Sequence, residues 1–302
     1  MTQKPDVTIL PQRAKEEPAA VRAARTPSTV RMRARSLFGR AFSGRRRVTV
    51  SIILFGIFLL LFWEGFFRLN IVSDFIVPSA FSTLDELWNI AVDFFTGGHF
   101  LTGTLVTLEE IAVGFAAAAV AGIALGILIG ETAFGQEVLM PYVVAFNAIP
   151  KVALAPVFVA AFGFGVAPKM LMAAVIAVFP VLVNTAVGIE SASENEMRLF
   201  RAMEASRWQT LWELKFPTSL PFVFAGLKIG SVLAVIGAIV GEMLSGGAGG
   251  LGKRLDVAAI TLKTDLTFAI IVLLSLAGLV IYLIVVLLER YIVYWRPKKA
   301  GK

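Results

Sequence analysis

Lys151 stands beside Pro150, four residues after Asn147, inside a long apolar run. A cation buried at that depth is costly unless it meets water, a carboxylate or an anion, so Asn147, Pro150 and Lys151 are candidates for a pathway that attracts anionic cargo. Equally open is a structural lysine that snorkels from a kinked helix or pairs with an acid such as Glu242. Glu242, near the end of another apolar run, either gates such a pathway or anchors the loop after it. Asn184 either lines the pathway or bonds between helices. A second group lies in the polar interval 190–220, where Arg201, Arg207 and Trp208 offer charged and aromatic contacts and Leu199, Met203, Leu211 and Leu214 apolar ones. That composition suits docking into a groove on a soluble partner, and it also fits an ordinary helix resting on a membrane. Gly247 to Gly252 matches G-x-G-x-x-G and, with Lys253, G-x-x-x-x-G-K, but Arg254 stands where Ser or Thr holds magnesium and no soluble strand precedes it. The segment therefore reads as a turn, not a nucleotide site. With no cysteine and His99 as the single histidine, thiolate chemistry, a histidine metal cluster and a Ser-His triad are excluded.

The elements that carry these residues follow from composition. Of 302 residues 57% are hydrophobic and 16% charged, too apolar for one water-soluble core. A membrane-spanning helix needs about 20 mostly apolar residues. Six candidates lie near 48–67, 105–130, 138–162, 170–189, 221–245 and 266–288, giving an all-α integral membrane protein. Pro141, Pro150, Pro156 and Pro180 predict kinks or breaks in two of them. Residues 68–104 hold an amphipathic stretch around Leu84 to Phe95 that predicts a short helix on the membrane surface. Gly122, Gly126 and Gly130 recur every four residues, and Gly226/Gly230 and Gly237/Gly241 repeat the spacing, which predicts close helix contacts.

Charge is uneven. Residues 1–47 carry twelve Lys and Arg against three acids and read as a basic disordered cytoplasmic tail attracted to anionic lipid, not to nucleic acid. Residues 48–295 form the membrane domain and 296–302 a basic cytoplasmic C-terminus. With both termini inside, cytoplasmic pieces hold 21 Lys and Arg and the outer loops five, Arg68, Lys169, Lys253, Arg254 and Lys263. That contrast predicts a multi-pass protein with the 190–220 segment in the cytoplasm.

Within that segment Ser193 to Glu196 and Ser206 to Gln209 each read as a capping box, a Ser with Glu or Gln three residues on. Two short helices should meet near Ala205, the second ending before Pro217. At this point the chain resembles a known family. Met203 to Pro217, continuing through Ser219-Leu220-Pro221 and Ala225-Gly226-Leu227-Lys228, is similar to the cytoplasmic EAA loop of permease subunits of bacterial ABC importers. Asn147 to Pro156, Phe162-Gly163-Phe164-Gly165 and Ile239-Val240-Gly241-Glu242 with Gly250-Leu251-Gly252 resemble the nitrate, sulfonate and taurine branch, which also handles pyrimidine and riboflavin-type compounds. The resemblance covers about residues 50–295 of the binding-protein-dependent transport inner-membrane component family.

The resemblance implies a type I ABC importer permease architecture and alternating access across the bacterial inner membrane. It implies a second permease protomer in a homodimer, two ABC ATPase subunits that bind ATP and Mg, and a periplasmic or extracellular substrate-binding protein; it implies no cofactor in this chain. Arg201, Glu204, Ala205, Ser206, Arg207, Trp208, Leu211, Leu214 and Pro217 then couple to the ATPase. The cargo is a sulfonate, taurine or nitrate-like anion, or a pyrimidine or riboflavin-type compound. Two departures stand out: the motif glutamate falls on Arg198 and the motif glycine on Glu204. Glutamate resists the left-handed conformation by roughly 1 kcal/mol, so the first helix is expected to run on to Ala205. The rivals are a gradient-driven secondary transporter and a membrane-embedded enzyme, the latter disfavoured by the scarcity of buried acid–base pairs in the sequence.

Overall fold

The computed structural model describes residues 28–69, 76–245 and 249–295, with side chains from Val48 onward. Its helices are α1 (Ser28–Arg68), α2 (Ala80–Phe95), α3 (His99–Glu131), α4 (Gly135–Asn147), α5 (Lys151–Phe162), α6 (Val166–Glu190), α7 (Glu194–Ala202), α8 (Arg207–Ser245), α9 (Leu251–Ile260) and α10 (Thr264–Ile292). Met1–Phe62 and Trp63–Lys302 are separate units by contact and are treated separately. Within the first, α1 is helical from Ser28, a correction to the expected disorder of 28–47. Pro27 just ahead of it and the Arg, Ala, Met and Leu that follow suit a helix start and interior. Residues 1–27 and 296–302 lie outside the described residues.

Inside the second unit, α6 is the central pillar, packed against α3 and α8. The contacts are close because small residues face backbone. A Cβ at Gly126 would lie 2.7 Å from the Leu182 carbonyl oxygen, and one at Gly237 would lie 2.6 Å from the Cα of Ala173. Lipid provides no hydrophobic drive between helices, so dispersion across such seams holds them together. The Ile111, Ala118, Ala173, Ala177, Ala234 and Ala238 cluster fills the centre.

The register of these seams sets the topology. Gly114 faces Ala173, Gly122 faces Val181 and Gly130 faces Ile189, so α3 and α6 run parallel. Gly226 faces Pro180 while Gly241 faces Lys169, so α8 is antiparallel to α6. Two parallel neighbours that both cross the bilayer need one crossing between them. The intervening α4 and α5, bent 80° to one another, supply it as one broken span. Five long helices and this pair therefore make six spans. One end of the bundle gathers Glu131, Glu190 and the 191–206 loop; the far end gathers the starts of α3, α6 and α10 and the whole of α9.

The expected proline effects divide. Pro150 lies at the break, whereas Pro141 and Pro156 sit in the first turn after a change of helix geometry, where a missing N–H costs nothing. Pro180 interrupts neither the course nor the packing of α6.

Candidate functional site

The break between α4 and α5 positions Lys151. Pro150 has an extended backbone (ψ 91°) and starts a 3-10 turn over Lys151–Leu154. The chain bends by 80° there, and the Lys151 ammonium donates to the Asn147 carbonyl at 2.8 Å and to Asn147 Oδ1 at 2.9 Å. It also lies 4.8 Å from the centre of the Phe179 ring, a cation–π contact. Its charge is matched by dipoles and a ring, not by an acid. The alternative pairing with Glu242 is thereby corrected, because Glu242 is engaged elsewhere. Asn147, Pro150 and Lys151 thus form one unit at the bend. Asn184 lies apart from it, on the α6–α8 seam, donating to the Pro180 carbonyl at 2.8 Å.

Glu242 is fully buried at the far end. Its Oε1 accepts the Thr107 hydroxyl at 2.6 Å, and its Oε2 accepts the backbone N–H groups of Gly252 and Lys253. Thr107 in turn accepts the Leu251 N–H at 2.8 Å. The carboxylate thus sits at the N-terminus of α9, where free N–H groups and the helix dipole favour an anion. A Cβ on Gly250 or Gly252 would collide with it. The described end of the glycine-rich turn, Gly250 to Lys253, is an anion cradle occupied by the protein's own carboxylate.

Beside it lies a feature that hydropathy did not reveal. Lys169, counted as an outer-loop residue, belongs to α6 and is 2% exposed, with Nζ 3.0 Å from Oε1 of the fully buried Glu110. Buried acid–base pairs are expected to be scarce, and this bridge is one among the described residues. The available signal was Glu110 itself, an acid amid the apolar α3, which by default faces the bundle interior. Its partner, 59 residues away, had no local signal.

At the opposite end both predicted capping boxes form. Ser193 accepts from Glu196 and Ser206 from Gln209, with the reciprocal side-chain bonds in place. The first helix ends at Ala202, not Ala205. Glu204 takes the left-handed conformation (φ 53°), and Ala205 N–H donates to Phe200 O while Glu204 N–H donates to Arg201 O. This Schellman closure satisfies the end carbonyls and outweighs the roughly 1 kcal/mol that a side chain costs there. The second correction concerns Pro217. The helix begun at Arg207 continues through it to Ser245 as one element. A π-helical turn over Thr210–Lys215, with Phe216 N–H donating to Leu211 O, widens the helix just before the proline and makes room for its ring.

The loop's two faces are now distinct. Leu211 and Leu214 are buried, anchoring the loop to the bundle, and Lys215 bonds Glu131 of α3 at 2.9 Å. Leu199, Met203 and Trp208 are 57%, 58% and 69% exposed, with Arg201, Glu204 and Arg207 around them. Trp208 stacks edge-on with Trp212, whose ring lies 5.0 Å from Phe216, giving the crest an aromatic spine. The exposed crest is therefore Leu199, Met203 and Trp208, while Leu211, Leu214 and Pro217 belong to its support.

Six helical spans, one of them broken, a buried far-end lock and a capped loop make the build of a membrane permease of the type I ABC importer architecture. A chain of the MetNI methionine ABC transporter, solved in inward-facing form, superposes with a TM-score of 0.56 over 64% of this chain and 95% of that one, at 21% identity, a likeness of fold. The family model "Binding-protein-dependent transport system inner membrane component" matches residues 122–294. The riboflavin transport system permease RibX of Chloroflexus aurantiacus is 34% identical over 78% of this chain and 87% of its own. The formylaminopyrimidine transport permease ThiX of Halalkalibacterium halodurans is 32% identical over 82% and 96%. The chain belongs to the binding-protein-dependent transport system inner membrane component family. It is an ABC importer permease of the inner membrane, a class that works with an ATPase and a substrate-binding protein.

Proposed function

We propose that this chain forms, as a homodimer, the pathway for a small nutrient, and that two separate ATPase subunits, which bind the ATP and Mg, drive it through the 190–220 loop. The observation that carries this reading is the continuity of the loop with a span: Arg207–Ser245 is one helix of 39 residues. Force applied at Trp208 is thereby delivered along a rigid rod, through the α6 seam, to Glu242 at the other end. Arg201, Glu204, Ala205, Ser206, Arg207 and Trp208 form the docking crest, and Leu211, Leu214 and Pro217 keep it in place. The loop and both termini face the cytoplasm, a placement supported by the excess of 21 Lys and Arg on that side over four outside, Arg68, Lys253, Arg254 and Lys263, once Lys169 is placed inside α6. Binding ATP closes the ATPase pair, which moves the crests together and exchanges inward-facing for outward-facing states.

The test is recovery of the ATPase with the permease. Met203→Asp combined with Trp208→Asp, both exposed, should leave folding intact yet cut ATPase recovery and uptake by roughly tenfold or more, since buried aromatic anchors dominate such interfaces. Wild-type recovery would sink the docking assignment. Uptake that persists on an ion gradient without ATP hydrolysis would point to the secondary-transport alternative.

The names of the two relatives, riboflavin and formylaminopyrimidine permeases, favour a nitrogen heterocycle as cargo. A second reading, a sulfonate, taurine or nitrate-like anion, rests on Lys151, a cation in mid-span without an acidic partner among the described residues. Asn147 and Pro150 hold that ammonium at the bend, while Glu242 serves the pathway by tying α8 to α3 and α9, and Asn184, bonded within α6 to the Pro180 carbonyl, packs at the α6–α8 seam. Lys151→Met should lower uptake of an anion by about tenfold, the equivalent of 1.4 kcal/mol, and leave a neutral heterocycle within about twofold. Equal effects on both cargoes would remove Lys151 from substrate recognition.

A further inference from the structure

We propose that the far-end cavity walled by α3, α9 and α10 binds a phosphate group, carried on an anionic phospholipid headgroup or present as a free ion. The cavity, of about 360 Å³, is lined by Phe100, Lys253, Arg254, Val257, Thr261 and Lys263 among others. Lys253 is satisfied by Asp256 at 2.7 Å. Among the described residues Arg254 forms no such pair. Its guanidinium is held by the His99 carbonyl at 2.9 Å and lies 4.9 Å from the centre of the Phe100 ring, so it is fixed in place with no counter-charge among the described residues. Lys263 also forms no ion pair among the described residues. Asp265, two residues on, directs its carboxylate to the Leu266 N–H at 3.0 Å.

Two cations without an acidic partner among the described residues therefore face one cavity, and the same cavity has an apolar half. Phe100, Val257 and Leu266 suit the glycerol and first methylenes of a lipid, and Thr261 supplies a hydroxyl. The spans α3 and α10 both begin here, which puts the cavity at headgroup level. A preorganised guanidinium beside a flexible ammonium is the combination that clamps a phosphate oxygen pair. This reading is independent of the ATPase docking and of the cargo.

The experiment is native mass spectrometry of the full chain in detergent, titrated with phosphatidylglycerol, phosphatidylcholine or inorganic phosphate. Phosphatidylglycerol should be retained preferentially. Arg254→Gln and Lys263→Gln should each weaken that retention roughly fivefold, following about 1 kcal/mol per basic residue at a membrane surface. Lys263 is exposed, so its variant keeps the fold in any event. Displacement of the lipid by millimolar phosphate, with the same sensitivity to both variants, would support the site and assign it to a free anion; no displacement would support it as a headgroup site. Equal retention of the two lipids, or retention unchanged in the double variant, would overturn it. Recovery of the ATPase should stay at the wild-type level in all of them.

Discussion

Lys169→Met is expected to destabilise the protein by roughly 3–5 kcal/mol, the cost of leaving a buried carboxylate without its counter-charge. The reason is local and quantitative. Glu110 is fully buried and Lys169 2% exposed, so water cannot replace the lost ammonium. Among the described residues Glu110 Oε2 has no hydrogen-bond partner, which leaves the charge dependent on Lys169. Glu242 lies close enough to add repulsion. The bridge joins α3 to α6 in the same place where Gly241 of α8 packs on Lys169, so three spans loosen together. The thermal midpoint of the detergent-solubilised chain reads the effect. Adding Glu110→Gln to Lys169→Met should restore most of the loss, since a neutral pair has no charge to strand. If the single variant melts like wild type, the bridge is not a structural keystone.

Glu242→Leu is expected to cost on the order of 3 kcal/mol and to free the turn that leads into α9. The carboxylate accepts from Thr107, Gly252 and Lys253, and each buried donor left unmade costs about 1–3 kcal/mol. Leucine also collides with the Gly250 and Gly252 backbone, which approaches closely only because both residues lack a Cβ. Glu242→Gln should be much milder, because its Oε1 can still accept from Gly252 and Lys253 while its amide donates to the Thr107 hydroxyl, which turns its own proton to the Gly103 carbonyl at 3.1 Å. Amide hydrogen exchange at Leu251, Gly252 and Lys253 is the measurement: exchange should accelerate markedly in the leucine variant and little in the glutamine one, while the α3–α6 seam stays protected. Unchanged protection at those three amides in the leucine variant would show that the loop is held by something other than Glu242.

Much of the fold was legible because it is written in local or periodic chemistry. Long apolar runs mark spans, since hydrocarbon leaves backbone groups no partners outside a helix. Ser193 with Glu196 and Ser206 with Gln209 cap helices through bonds spanning three residues, and both formed. The small-residue faces of α3 and α8 marked the seams. Three local readings were overturned by their surroundings. Glu204 accepted a left-handed backbone because the Schellman bonds outweigh its strain. Pro217 stayed inside a helix because a π turn widened the helix ahead of it. Leu211 and Leu214, apolar like Leu199, turned inward instead of outward, a choice that depends on what the loop rests against.

The amino-acid order alone determined an all-helical membrane protein, its span positions, its capped loop and the cation at the Pro150 break, because hydropathy, capping and proline act within a few residues. Only the tertiary structure decided that the third span is a crossing and not a hairpin, since that follows from α3 running parallel to α6. It alone paired Glu110 with Lys169 across 59 residues and filled the glycine turn with Glu242. Helices that are apolar on every side do not announce which side faces protein, and charges buried in them choose partners by proximity in space.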